Sequence, residues 1–316
     1  MNLKQKYGRV TLKKAVSGYL FLLPFMAVYL VFMAYPIIYS LILSFHKATI
    51  YSNWYNVFSD MKFVGFHNYV ALFTKDKEFW WSVILSVYYG ILTIPTSIFL
   101  SLILAVLLNN RFKGKSFFRS AFFLPNMLDM LVVGIIWTLL YAPKYGIIDA
   151  ILNNIGIHYF TTSGGILGNP VSVLPAIAFA MVLKGSGFGM ILFLAAIQNI
   201  SESVYEAADI DGASWWQKLW YITVPLVRPI ILYLTITGII TALNAFTEIY
   251  AMTNNTGGPA MQFLGTTVRS AKLSGYYLYK NFEEGFYGNA AAISYTLMLI
   301  ALFISYINMK FIQKKD

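Results

Sequence analysis

Glu206-Ala207-Ala208-Asp209-Ile210-Asp211-Gly212-Ala213, followed by Pro225 and Pro229, is an acidic, turn-forming stretch set between two long apolar runs. Its setting decides the fold. The chain has 316 residues, 58% hydrophobic and 11% charged. Soluble domains carry about 25% charged residues, so most of this chain does not face water. Cysteine is absent, which excludes disulfides, thiol catalysis and cysteine-ligated metal. His46, His67 and His158 lie far apart without ligand spacing, so no metal site is expected. The net charge of +10 is read as topology determinants beside anionic lipid rather than as a nucleic-acid surface. The first apolar run is too long for a cleaved signal peptide.

A helix needs about 20 apolar residues to cross the hydrocarbon core. Six runs qualify: roughly Gly18–Phe45, Phe79–Leu108, Ala121–Tyr141, Val171–Ile197, Ile230–Thr253 and Tyr287–Met309. The fold expected is an all-α integral membrane protein with six transmembrane helices. It divides into a basic tail, 1–14, and one transmembrane domain, 15–316. Basic residues set direction. Fourteen fall in the two tails, the second-to-third loop (Arg111, Lys113, Lys115, Arg119) and the fourth-to-fifth loop (Lys218, Arg228). Eight are spread over the three longer loops of the other side. Both termini and the loop at about 199–229 are therefore expected in the cytoplasm.

The outer loops 46–78 and 142–170 are rich in aromatic and turn residues, as in Tyr51-Ser52-Asn53-Trp54-Tyr55 and Ser163-Gly164-Gly165. Loops of that length are a lid on the bundle or a docking surface for an external partner. No G-x-x-x-x-G-K-[ST] phosphate loop is present; the glycine-rich 164–170 lacks the lysine. The chain is thus expected neither to hydrolyse ATP nor to act as an enzyme.

The fourth-to-fifth loop reads as helix–turn–helix. Ser203 and Glu206 have capping-box spacing. Gly212 tolerates the positive φ of a tight turn. Ala207, Ala208 and Ala213 leave room for another surface to approach. Ser214 is expected to cap a second short helix, Trp215–Thr223, ended by Pro225. Tyr205, Trp215, Trp216, Trp220 and Tyr221 are interface anchors or an aromatic belt at the membrane boundary.

The spacing E-A-A-x-x-D-G-A-(x11)-P-(x3)-P resembles the cytoplasmic EAA loop of permease subunits of binding-protein-dependent ABC importers, the carbohydrate-uptake type. Phe63-Val64-Gly65-Phe66-His67-Asn68-Tyr69, Phe122-Phe123-Leu124-Pro125, Gly257-Gly258-Pro259 and Gly288-Asn289-Ala290-Ala291-Ala292 resemble further segments of that family. Trp220 stands where the family usually has Phe, and Asn254-Asn255-Thr256 is slightly longer than usual. The resemblance implies alternating access driven by partners. These are a second homologous permease, two ATP-binding subunits and an external solute-binding protein. ATP and Mg are bound by the ATPase, with no cofactor in this chain, and the substrate is a sugar or oligosaccharide. It assigns ATPase coupling to Glu206, Ala207, Ala208, Asp211, Gly212 and Ala213.

Asp129, Lys184 and Glu248 lie inside apolar runs. A charge at the bilayer centre costs at least about 2.5–3.5 kcal/mol, so these groups line a path or pair with one another, Lys184 with Glu248 or Asp129. Water is expected to reach Glu248. Thr241, Asn244 and Glu248 are spaced to share one helical face. Gly187 and Gly189 permit close approach of a helix or a ligand. The resemblance places substrate contacts in the fourth and fifth spans, which implies a substrate pathway at Asn244, Phe246, Glu248, Gly189, Phe193 and Lys184. Asn244→Ala and Glu248→Ala are expected to impair transport without loss of assembly. Two alternatives stay open: an importer permease for a non-sugar solute, and an ion-coupled carrier working without an ATPase.

Overall fold

The computed structural model of the chain describes residues 12–52, 61–110, 112–157 and 164–313. Most of the basic tail, Asn53-Trp54-Tyr55, Arg111, His158, Ser163, Lys314 and Lys315 lie outside these residues. Four continuous helices are long and apolar enough to cross a bilayer: 17–44, 77–109, 173–198 and 287–310. Two bent pairs bring the total to six if each is one span. Lys115–Met127 meets Met130–Leu140 at 101°, and Trp215–Leu226 meets Arg228–Leu243 at 70°.

The first crossing joins α1 (Leu12–Tyr29) to α2 (Tyr35–Ser44) through a π-helical turn, Leu30–Ala34. Pro36 in the first turn of α2 has no N–H to give, and the π-turn accommodates that gap. The end of α2 is closed from outside itself. Asn68 Nδ2 donates to the carbonyls of Ser44 (2.8 Å) and His46 (3.1 Å), and Tyr69 Oη donates to Ser44 Oγ (2.7 Å). The segment 63–69 therefore satisfies a helix C-terminus, which leaves carbonyls without internal partners.

A short ribbon, β1 (His46–Lys47) with β2 (Lys62–Phe63), and α3 (His67–Thr74) lead to α4 (Lys77–Asn109). Asp76 caps α4, accepting from Phe79 N at 2.9 Å, and also accepts from Tyr277 Oη at 2.6 Å. Next come α5 (Lys115–Met127), α6 (Met130–Leu140), α7 (Ile147–Asn154) and α8 (Val173–Gln198). The coupling segment holds α9 (Glu202–Ile210), α10 (Trp215–Lys218) and α11 (Val224–Leu226). It leads into α12 (Arg228–Leu243) and α13 (Thr247–Met252). A second ribbon, β3 (Ala260–Phe263) with β4 (Thr266–Arg269), precedes α14 (Ser274–Glu283) and α15 (Tyr287–Gln313). The two short ribbons are additions to the helical fold expected. The second turns at Leu264 and Gly265, both at positive φ, as a two-residue hairpin requires.

Two expected spans are corrected. The third, Ala121–Tyr141, breaks at Leu128-Asp129, because Asp129 caps a new helix: its Oδ1 accepts from Leu131 N at 2.9 Å. The fifth does not run to Thr253. It stops at Leu243, and Asn244-Ala245-Phe246 separate it from α13. A break in lipid strands backbone groups unless protein supplies partners. Here α14 supplies them. Ser274 Oγ donates to Leu243 O (2.6 Å), Ser86 Oγ accepts from Ser274 N (2.8 Å), and all three residues are buried. Gly275 lies so close to Asn244 that any β-carbon there would collide with the Asn244 peptide.

Among the described residues four buried clusters hold the bundle, and two of them bear on the site. One joins α4, α8, α13 and α14 through Tyr89, Val173, Ile177, Ile249, Met252 and Tyr276. The other joins α4 and α8 to the coupling segment through Leu102, Met190, Phe193, Ile197, Leu219 and Val227. Gly187 packs against the α5 backbone, where a β-carbon would collide with the Phe122 carbonyl.

Ser274→Ala is expected to destabilise by about 1–3 kcal/mol, leaving a buried carbonyl without its donor. Gly275→Val is expected to cost more, since it wedges backbone from backbone. Thermal unfolding in detergent, followed by retained monodispersity, checks both.

Candidate functional site

The coupling segment is a tied hairpin. Tyr205 Oη and Thr223 Oγ1 are 2.9 Å apart, and Lys218 Nζ contacts Asp209 Oδ1 at 2.6 Å, so both limbs are cross-linked above the turn. The turn runs through Asp211, Gly212 at φ 73 and Ala213, whose N–H bonds to Ala208 O at 2.9 Å. Nothing lies within 4 Å of a β-carbon built on Gly212. Glu206, Ala207, Asp211 and Gly212 are exposed, and Ala208 and Ala213 are half-buried. Ile210 is 87% exposed and Trp216 55% exposed. The surface is thus open at its tip and anchored at its base.

Local details differ from expectation. Ser203 and Glu206 form no capping box: α9 begins after Ser201, whose hydroxyl faces Ser203 Oγ at 2.7 Å. The box lies one helix later. Ser214 N donates to Gln217 Oε1 at 2.7 Å, and Gln217 N donates to Ser214 Oγ at 3.4 Å. The helix from Trp215 passes through Pro225 by way of a π-turn and bends at Val227 instead.

The second site is a cavity of about 340 Å³ within the helical bundle, lined by residues of α4, α5, α6, α8, α12 and α13. Of the expected pathway residues it gathers Lys184, Gly189 and Glu248. Asn244, Phe246 and Phe193 do not line it. Asn244 is exposed and donates to Ile240 O at 2.8 Å, closing α12. Phe246 packs on Tyr279, ring centres 4.2 Å apart. Phe193 is fully buried in the second core. The continuous face expected for Thr241, Asn244 and Glu248 does not exist, because the helix breaks between them.

The charges are also rearranged. Asp129 is exposed and serves as a cap. No ion pair joins Lys184 to Glu248 or Asp129 among the described residues. Glu248 is 4% exposed and lines the cavity, and Tyr89 Oη donates to its Oε1 at 3.4 Å. Sequence reasoning missed Tyr89, Thr93, Ser97 and Ser101, which line the cavity along α4. Their spacing of four places them on one helical face, as it does Tyr233, Thr237 and Thr241 on α12. That polar stripe was the available signal. Among the described residues no group of three His, Cys, Asp or Glu could hold a metal.

Residues 97–315 match the family of binding-protein-dependent transport system inner membrane components. The lactose transport system permease protein of Rhizobium radiobacter is 34% identical, over 92% of each chain. The trehalose/maltose transport system permease protein of Thermococcus litoralis is 31% identical over 96% of each. The multiple sugar-binding transport system permease protein of Streptococcus mutans is 31% identical over 96% of this chain and 99% of that one. A crystal structure of a bacterial ABC transporter involved in the import of the acidic polysaccharide alginate superposes with a TM-score of 0.76. It covers 96% of this chain and 97% of that chain at 22% identity, a likeness of fold. With its apolar spans, tied hairpin and bundle cavity, the chain belongs to the inner-membrane components of binding-protein-dependent transport systems and is a multi-pass permease subunit of the plasma membrane.

Proposed function

We propose that this permease imports a sugar or oligosaccharide by alternating access, driven by ATP-binding subunits that grip the hairpin 206–213. The observation that carries the reading is a hairpin cross-linked at its base that exposes Ile210 among small and acidic residues at its tip, in a chain whose curated relatives are named for sugar transport. Glu206, Ala207, Ala208, Asp211, Gly212 and Ala213 form the seat. Small residues admit a partner surface closely, and Glu206 adds a charge to it.

In this reading the hairpin and both termini lie in the cytoplasm, consistent with the basic residues of the tails and inner loops. The chain works beside a second homologous permease. Two ATPase subunits bind ATP and Mg and hydrolyse the nucleotide, and an external solute-binding protein delivers the sugar. The substrate path runs through the cavity bounded by Lys184, Gly189 and Glu248. Asn244, Phe246 and Phe193 act on it indirectly, by ending α12, packing the outer aromatics and filling the core. A push on the hairpin reaches the cavity because its base shares a core with α4 and α8.

Affinity purification from native membranes in mild detergent, with mass identification of companions, tests this. The chain is expected to bring an ATP-binding subunit with it, and Glu206→Lys or Gly212→Asp to lose that subunit. Gly212 stands in open space, and aspartate tolerates its backbone conformation at a cost of about 1 kcal/mol, so that variant is expected to stay folded. Recovery of the chain alone in several detergents would favour an ATP-independent carrier.

A further inference from the structure

Three basic side chains cluster where α5 begins, and the adjoining chain supplies no acid to meet them. Between Glu78 and Asp129 the sequence holds no aspartate or glutamate. Lys113 is exposed and Lys115 half-buried, and Lys115 Nζ gives one long hydrogen bond, to Asn109 O at 3.4 Å. An ammonium has three donors, so two of them stay free. Lys115 and Arg119 are four positions apart and share one face of α5.

Arg119 differs from its neighbours. It is half-buried, and its Nε is enclosed by protein without a hydrogen-bond partner. Among the described residues its two Nη groups make neither a hydrogen bond nor an ion pair, and neither is enclosed. The stem is held in the protein while the fork of donors reaches the surface. Basic residues beside a span set its direction without any ligand, and Lys113 fits that role. A guanidinium anchored at the entry to an apolar span normally pairs, and its planar fork matches a phosphate bidentately.

The adjoining face of α5 is apolar. Phe118 and Phe122 are exposed and stacked with ring centres 6.5 Å apart, and Phe112 adds a third ring 6.1 Å from Phe118. The rings lead from the basic residues along α5 into the span, the order in which a phospholipid presents its phosphate and its chains. An acidic side chain of a neighbouring subunit would answer the charge alone.

We propose that Lys115 and Arg119, with Lys113 at their edge, hold the phosphate of an anionic phospholipid whose chains lie along Phe118 and Phe122. The proposal goes beyond the transport reading and takes from it only the cytoplasmic placement of this loop, where anionic lipid lies. Asn126, near the far end of α5, lines the bundle cavity, and α5 packs on α8 at Gly187. A lipid held here ties one wall of the cavity to the bilayer surface.

The test is native mass spectrometry of the full chain, purified from native membranes with its companions, stripped of lipid and titrated with phosphatidylglycerol or phosphatidylcholine of the same chains. Phosphatidylglycerol is expected to bind at least about tenfold more tightly. Arg119→Gln is expected to weaken it by about tenfold, as loss of a charged donor does, with phosphatidylcholine unchanged. Arg119→Lys, which keeps the charge without the fork, is expected to fall between the two. Lys115→Gln repeats the test at a residue that leaves no enclosed group behind, and Lys47→Gln, on the first ribbon, is expected to change neither lipid. Equal affinity for both lipids, or a preference kept in Arg119→Gln and Lys115→Gln alike, would overturn the proposal. Loss of a companion permease from Arg119→Gln with phosphatidylglycerol binding intact would also overturn it and assign the fork to that subunit. A thiol at Lys113→Cys is expected to react with an impermeant maleimide in inside-out vesicles alone; reaction in intact cells would overturn the cytoplasmic placement and leave the lipid site standing.

Discussion

A broken helix in a bilayer is tolerated only where the protein itself supplies hydrogen-bond partners for the freed backbone, and among the described residues this chain interrupts apolar helical runs at Leu128-Asp129 and at Asn244. At Leu128-Asp129 the partner is local, the Asp129 carboxylate on the next helix's first amides. At Asn244 it is remote. Ser274, 31 residues beyond Leu243, gives its proton to the Leu243 carbonyl and is itself held by Ser86 of α4. The absence of a side chain at Gly275 lets that contact form. These small groups fix where α12 ends.

The rest of the site follows from that end point. Because α12 stops at Leu243 and α13 restarts at Thr247, Glu248 enters the cavity opposite Tyr89 instead of continuing the α12 face. A buried carboxyl group is costly unless it is hydrogen-bonded, and Tyr89 Oη supplies that bond. At the other end of the bundle, Leu219 and Val227 of the coupling segment share a core with Leu102 and Phe193. The limbs above them are cross-linked by Tyr205–Thr223 and Asp209–Lys218. A well-packed core transmits displacement, so hairpin and cavity form one mechanical unit.

Much of this was legible in the sequence. Length and apolarity located the crossings, and the Asp211-Gly212 turn with its flanking alanines located the hairpin. The limits have physical causes. Asp129 ahead of an apolar run is a helix-start signal as well as a membrane charge, and the cap is what forms. The break at Asn244 carries no glycine or proline, and its partner lies far along the chain. Beyond Lys184 and Ser186, α8 is apolar on all faces through its middle, so periodicity does not separate Phe193, which faces the core, from Gly189, which faces the cavity. The polar stripe Tyr89, Thr93, Ser97 and Ser101 was readable as a spacing of four.

The central claim, that the hairpin is where an ATPase grips this permease, is most directly tested by cross-linking. The chain has no cysteine, so a single introduced thiol is unambiguous. Ala207→Cys, on the exposed limb, treated with a short thiol-to-amine cross-linker in native membranes, should yield one adduct with an ATP-binding subunit. Thr267→Cys, on the second ribbon, should yield none. An ATPase adduct from Thr267→Cys, or none from Ala207→Cys in an assembled complex, would contradict the account.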